Sequence, residues 1–221
     1  MKKIPGPFKG RHFEREIIAL CVRWYLRFKL SFRDLVEMMA ERGLAVAHTT
    51  IMRWVQRFVP EFERRWNRYA RVTGRSWRAD ETYVKIRGQW VYLYRAVDRD
   101  GNTVDFRLGR KRDVAAAKAF FRKALKTQRQ APLSITLDGY AASHRAVRVM
   151  PAEGMIRNDT KLRSSKYLKN MIEQDHRSIK SRIAPMLGFK LFKRAAVTIA
   201  GIELFIVSAK GNSTWAAVLS A

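Results

Sequence analysis

Residues 76–110 read SWRADETYVKIRGQWVYLYRAVDRDGNTVDFRLGR, and three runs within them are rich in β-branched and aromatic residues. The runs at 76–86 and 103–110 alternate loosely between polar and apolar positions, and the run at 89–98 consists mostly of β-formers. The segment DRDGN, which joins the second run to the third, is a typical hairpin turn. The stretch therefore predicts three consecutive antiparallel strands.

The residues that follow alternate between helix and strand patterns. The elements predicted are an Ala-rich helix at about 114–126, an apolar strand at 133–138, a helix at about 142–149 and a short strand near 155–157. A late helix carries KNMIEQDHRSIK, residues 169–180. The order βββαβαβα is that of an RNase H-like domain, so an α/β fold with a mixed sheet is expected.

The first 60 residues show helical periodicity instead. The apolar residues that a first helix within 13–27 is predicted to turn inward are Ile17, Cys21, Trp24 and Phe28. Ser31 and Asp34 have the spacing of a capping box, which predicts the start of a second helix. Gly43 is predicted to stop that helix.

A third helix is predicted from Thr49 to Pro60, where the proline ends it. Its apolar stripe consists of Ile51, Trp54, Val55, Phe58 and Val59, and its polar side carries Thr50, Arg53, Gln56 and Arg57. Three short helices with a tight turn before the last form the helix-turn-helix pattern, so the four polar residues are predicted to face the major groove of DNA. The alternative is a plain three-helix bundle whose polar side is only solvated.

These patterns divide the chain into three predicted parts. Residues 1–60 form an all-α helix-turn-helix DNA-binding domain, 61–75 a basic linker and 76–221 an RNase H-like catalytic domain.

The charge of the chain indicates its partner. The 221 residues include 45 Lys and Arg against 19 Asp and Glu, a formal net charge of +26. Self-repulsion of this size disfavours a compact state unless a polyanion offsets it, and nucleic acid is the leading candidate. Six Trp argue against a ribosomal protein. No apolar run approaches the roughly 18 residues of a membrane-spanning helix.

The single cysteine, Cys21, cannot form an internal disulfide, and its apolar surroundings predict a buried small hydrophobic residue in a reducing compartment. The N-terminal segment MKKIPGPFKG lacks the apolar stretch of a signal peptide. A cytoplasmic, nucleoid-associated protein is therefore expected.

Three acidic residues are candidates for catalysis. Asp80 lies in the first predicted strand, Asp138 ends the fourth, and Glu173 lies in the late helix. In an RNase H-like sheet the first and fourth strands are neighbours, so their acids can converge. Carboxylates within a few Å of one another need a cation, and two Mg²⁺ ions, with Mn²⁺ as a substitute, suit oxygen ligands and displacement at phosphorus. Taken singly, each acid also has an ordinary structural explanation.

Helical geometry ranks the candidate residues of the late helix. At about 100° per residue, Glu173 and Lys180 share one face, and His176 flanks them. Asp175 lies about 200° away from Glu173, which makes it the poorer ligand. Lys180 and His176 are predicted to contact DNA near the scissile phosphate, although a surface lysine would have the same spacing.

These motifs resemble the DDE transposases of bacterial insertion sequences, specifically the IS6 family. The resemblance extends from WYLRFKLSFRDLVEMMAERGLAVAHTTIMRWVQRF through WRADETYVKIRGQWVYLYRAVDRDGNTVDF to TLDGY and SSKYLKNMIEQDHRSIK. The 34 residues between Asp138 and Glu173 are similar to the D(34)E signature of the family. Lys169, where many relatives have Asn, and the tail KGNSTWAAVLSA depart from the pattern.

The resemblance implies roles for these residues. Asp80, Asp138 and Glu173 match the metal-binding catalytic acids, and Lys180 matches the basic residue seven positions after the glutamate. The N-terminal helices resemble the part that recognises terminal inverted repeats. Strand transfer to target DNA, cointegrate formation and a homodimer or higher homo-oligomer are also implied.

Two other functions fit parts of the pattern. A helix-turn-helix regulator with an inactive RNase H-like domain would not need converging carboxylates. Another RNase H-like nuclease, acting on junctions or hybrids, would read structure rather than sequence and would have less use for a helix-turn-helix.

Overall fold

The computed structural model describes residues 13–69, 72–165, 176–177, 179–186 and 188–210. Its contacts divide the chain into two units, one of residues 1–70 with 179–221 and one of 71–178. The predicted boundaries at 60 and 75 divide the chain into consecutive segments, whereas the first unit combines N-terminal and C-terminal segments. The predicted late helix spans this division, and its described helical residues are 176–177 and 179–183.

The second unit contains a mixed sheet with helices packed on it. Its elements are β1 (Ser76–Ile86), β2 (Gln89–Val97), β3 (Thr103–Gly109), α4 (Val114–Gln128), β4 (Ser134–Leu137), α5 (Ala141–Val149) and β5 (Lys161–Ser164). In the described part of the chain the strand order is β3-β2-β1-β4-β5. The first three strands are antiparallel, and β4 pairs in parallel with both β1 and β5. The predicted RNase H-like α/β fold is confirmed.

One face of this sheet forms the core. Trp77 and Ala79 of β1, with Ile135 and Leu137 of β4, are buried against apolar residues of α4 and α5. Asp113 caps α4 by accepting from the N–H of Ala116 at 2.8 Å. In β1, Trp77 and Ala79 alternate with less buried residues, and this alternation turns these two side chains toward the helices.

The last strand lies later than predicted. Residues 155–157 follow a turn in which the N–H of Gly154 donates to the carbonyl of Pro151, and Ile156 fills the core without joining the sheet. Lys161–Ser164 forms the strand instead. Its residues are largely exposed at the sheet edge, so they lack the apolar alternation of a half-buried strand.

The first unit contains α1 (Arg15–Arg27), α2 (Phe32–Ala40) and α3 (His48–Tyr69), completed by a 3₁₀ turn (Ala184–Met186) and α6 (Phe192–Lys210). The capping box of α2 is present: the hydroxyl of Ser31 accepts from the N–H of Asp34, whose carboxylate accepts from the N–H of Ser31. Gly43, with φ +70°, closes the turn after α2 in the left-handed region. The link to α3 spans 41–47, which is longer than the three or four residues typical of a helix-turn-helix.

Two predictions about these helices were wrong. Helix α3 continues through Pro60 to Tyr69, because Phe62 is buried against Phe58 and Glu61 pairs with Arg65 at 3.0 Å, which offset one lost backbone hydrogen bond. Helix α1 buries Cys21 as predicted, but its buried face is otherwise rotated and consists of Ile18, Ala19, Val22, Tyr25 and Leu26. Phe28 lies past the end of α1 and is 46% exposed. Apolar residues cover most of the circumference of α1, so spacing alone does not select the buried face.

Helix α6 packs on α1 and α3. Residues 198–206 are buried without interruption, the pattern of a helix enclosed in a core. Gly201 permits close approach, since a Cβ there would lie 2.8 Å from both methyl carbons of Leu26 and 3.1 Å from Val59 Cγ2. Among the residues that the structure describes, no helix has the length and apolar character needed to cross a membrane.

Candidate active site

Asp80 and Asp138 come together because their strands are parallel neighbours. The register between β1 and β4 ends with Ala79 opposite Leu137, and each aspartate is the next residue along its chain. The N–H of Glu81 donates to Asp80 Oδ1 at 2.7 Å. The sheet thus brings together two of the three predicted catalytic acids.

A third carboxylate joins them. One oxygen each from Asp80, Glu81 and Asp138 lies within 4.8 Å of the others, and all three residues are half-buried. The sequence-based prediction named Asp80 but not its neighbour Glu81. The available signal in the sequence was the pair of adjacent acids, Asp80 and Glu81, in a strand expected to lie beside the one that Asp138 follows.

The surroundings disfavour ionisation of this group. Burial, and next the charge of Asp138, raise the pKa of Asp80 to about 6, although the N–H of Glu81 and the guanidinium of Arg112 oppose the shift. Burial and the charge of Asp138 also raise the pKa of Glu81 to about 7 against the influence of Arg112. The cluster therefore holds negative charge at a free-energy cost.

A divalent cation would remove that cost. Carboxylate oxygens are the ligands that Mg²⁺ and Mn²⁺ prefer in proteins, and Asp80 and Asp138 each bring one oxygen into the cluster. The described residues at this site fit such an ion.

The loop after β4 fixes Asp138. The N–H of Tyr140 donates to Asp138 Oδ1 at 3.1 Å. His144 Nε2, one turn into α5, lies 2.6 Å from the carbonyl oxygen of Asp138 and donates to it when protonated at that nitrogen. The segment that follows Asp138 thus holds both its side-chain carboxylate and its backbone carbonyl.

The late helix is described only in part. His176 is buried, and its Nε2 lies 3.9 Å from Asp80 Oδ2. Glu173 and Asp175 lie outside the described residues. Lys180 is an exposed helical residue of the first unit.

The predicted DNA-reading residues of α3 differ in their surroundings. Arg53 and Arg57 are exposed, and Thr50 is half-buried. Gln56 instead packs against α6: its amide Nε2 lies 3.4 Å from the hydroxyl of Thr198 and 3.3 Å from the carbonyl of Arg194. Among the four predicted DNA-reading residues, Arg53 and Arg57 therefore carry the accessible positive charge.

A basic depression adjoins Asp138. It has a volume of about 670 Å³ and is lined by Gly139, Ala141, His144, Arg145, Arg148 and Ser164. Arg145 and Arg148 are exposed on α5. Both arginines line the depression together with Gly139, the residue that follows Asp138.

The sequence of this chain is similar to those of known proteins. Residues 74–212 match the profile of the DDE domain family. The chain is 37% identical over 205 residues to the transposase for insertion sequence-like element IS431mec of Staphylococcus aureus, covering 93% of this chain and 89% of that protein. Identity and coverage are the same for the S. aureus transposase for insertion sequence element IS257 in transposon Tn4003.

Solved structures include similar folds. The catalytic core domain of BIV integrase is 14% identical, with 63% of this chain and 96% of that chain covered and a TM-score of 0.45. The HTLV-2 integrase catalytic core domain in complex with magnesium is 16% identical, with coverages of 59% and 85% and a TM-score of 0.43. By its DDE domain and its relatives, the chain belongs to the DDE transposases of bacterial insertion sequences, in the IS6 family.

Proposed function

We propose that this transposase binds the terminal inverted repeats of its insertion sequence and carries out metal-dependent strand cleavage and strand transfer that yields cointegrates. The observation that carries the proposal is the juxtaposition of Asp80 and Asp138 where the parallel pairing of β1 and β4 ends. Ionising neighbouring carboxylates in a partly buried site costs free energy, and binding a divalent cation as ligands would offset that cost.

The proposed metal is a pair of Mg²⁺ ions, for which Mn²⁺ can substitute. The ligands would be Asp80, Asp138 and Glu173. Bound there, the ions would supply the positive charge that activates a water or a 3′-hydroxyl and stabilises the leaving oxygen. The hydrogen bonds of Tyr140 and His144 keep Asp138 in place for this task. His176 Nε2 lies 3.9 Å from Asp80 Oδ2, and His176 is proposed to contact the DNA there.

The DNA is held by cationic side chains outside the carboxylate cluster. Arg145 and Arg148 of the basic depression bind backbone phosphates beside Asp138, and Lys180 binds a phosphate near the scissile bond. Thr50, Arg53, Gln56 and Arg57 contact the element ends, with the two exposed arginines supplying most of the affinity. Two ends must be held together, so the active form is a homodimer or a higher homo-oligomer acting on DNA in the cytoplasm.

The test uses purified protein with Mg²⁺ or Mn²⁺ and DNA carrying its own element ends. The unaltered protein should nick and transfer strands, whereas Asp138→Asn should bind the same ends without reacting. Asp159→Asn is the matched control, because Asp159 is an exposed acid of the same unit paired with Arg157. Full activity of Asp138→Asn would overturn the assignment, and specific binding by an unaltered protein that never cleaves would indicate a regulator instead.

A further inference from the structure

Glu81 is separated from Asp80 by the pleat of β1. It shares the sheet face of Trp77 and Ala79, which packs on α4 and α5. Its partner across the strands is Tyr94, whose ring stacks on Phe120 at 5.8 Å. The side chain of Glu81 is only 3% exposed. This carboxylate therefore enters the acidic cluster from the core side.

The oxygens of Glu81 already have partners. Arg112 Nε donates to Glu81 Oε1 at 3.1 Å, and the hydroxyl of Ser143 lies 3.5 Å from each carboxylate oxygen. Coordination of a metal by Oε1 would require Glu81 to give up a charge-assisted hydrogen bond.

Arg112 joins two loops at this point. Its guanidinium lies 3.6 Å from the centre of the Tyr140 ring, and the hydroxyl of Tyr140 donates to the carbonyl of Arg112 at 2.5 Å. The neighbouring Lys111 carbonyl accepts from the hydroxyl of Tyr94 at 3.2 Å. The contacts between Arg112 and Tyr140 thus connect the segment after β3 to the segment after β4 next to Glu81.

Tyr140 passes this restraint on to the active site. The N–H of Tyr140 donates to Asp138 Oδ1, so contacts run from Glu81 through Arg112 and Tyr140 to Asp138. We infer that Glu81 is a positioning residue that acts through Arg112 to hold Asp138, and that it does not ligate the metal. The inference rests on the proposed function, because it assigns Asp138 as a ligand that must be held in one geometry.

Glu81→Gln and Arg112→Gln, singly and combined, test this arrangement in the full-length protein. Each single variant should lower kcat for strand transfer by roughly 10- to 100-fold, the usual cost of losing a group that orients a metal ligand. The double variant should be no slower than the slower single one, because both changes break the same chain of contacts. Arg122→Gln, an exposed arginine on α4, should react at the unaltered rate.

Mn²⁺ binding, followed by electron paramagnetic resonance, separates positioning from ligation. Both single variants should bind Mn²⁺ within a few-fold of the unaltered affinity, and Kd for element-end DNA should stay unchanged. Loss of Mn²⁺ binding in Glu81→Gln but not in Arg112→Gln would make Glu81 a ligand and overturn the inference, as would a full rate in Arg112→Gln. Absence of strand transfer by the unaltered protein would instead refute the proposed function.

Discussion

Replacing Asp80 by Asn should stabilise the metal-free protein at pH 8 while abolishing its activity. Asn has nearly the same shape and keeps an oxygen that can accept the 2.7 Å hydrogen bond from the N–H of Glu81. It cannot ionise, so the variant avoids placing a charge next to Asp138 in a half-buried site. Stability and catalysis are expected to change in opposite directions at this position.

The magnitude follows from the raised pKa of Asp80. Its ordinary value is 3.8 and its folded value is about 6, so the folded protein binds more protons there than the unfolded chain between these limits. Stability therefore falls as the pH rises through this window and is lowest above the folded value. At about 1.4 kcal/mol per pKa unit, the ionised aspartate costs about 3 kcal/mol, which for a chain of this size corresponds to a Tm difference of roughly 6–12 °C.

Thermal unfolding in EDTA, from pH 4 to pH 8, measures this difference. The Tm of Asp80→Asn should exceed that of the unaltered protein at pH 8, and the gap should close as the pH falls from 6 to 4. Mg²⁺ should stabilise the unaltered protein more than the variant, because the ion neutralises the same charge. Asp159→Asn should show no such gain, since Arg157 lowers the pKa of Asp159. A lower Tm for Asp80→Asn at pH 8, or a gap independent of pH, would refute the reasoning.

Three further changes test other parts of the molecule. Ser31→Ala removes the capping box of α2 and should lower the free energy of unfolding by about 1 kcal/mol in urea titrations, with Ser31→Thr as the conservative control. Gly201→Ala should cost about 1–3 kcal/mol, because its Cβ would meet the side chain of Leu26 at 2.8 Å, whereas Gly139→Ala meets no atom within 4 Å and should be tolerated in the same titration. Arg53→Ala should weaken binding to element ends more than to random DNA in fluorescence anisotropy, and an equal loss on both would make Arg53 only a phosphate contact.

The meander from β1 to β3 could be predicted almost to the residue, because alternation and a hairpin turn encode it locally. The neighbouring positions of β1 and β4 followed from the fold class, and they placed Asp80 beside Asp138. The edge strand β5 could not be found this way, because its residues are polar and owe their strand conformation to pairing with β4.

Contacts between side chains that lie far apart in the sequence could not be predicted from periodicity. Nothing near Gln56 in the sequence indicates that Thr198 lies beside its amide, and nothing near Glu81 indicates Arg112. Pro60 predicted the end of a helix that tertiary contacts of Phe62 carry onward. In each case a residue far away in the chain, or one turn further on, overrides the local preference.

The packing of α6 on the first helices has a consequence for synthesis. The ribosome releases α1 to α3 first, yet the helix that closes their core is made only after β1 to β5. Truncated products would lack α6 and leave apolar surfaces of α1 and α3 uncovered, so they should be cleared by proteases rather than accumulate as inactive competitors for element ends. The order of translation would then ensure that every molecule able to occupy an element end also carries a catalytic domain.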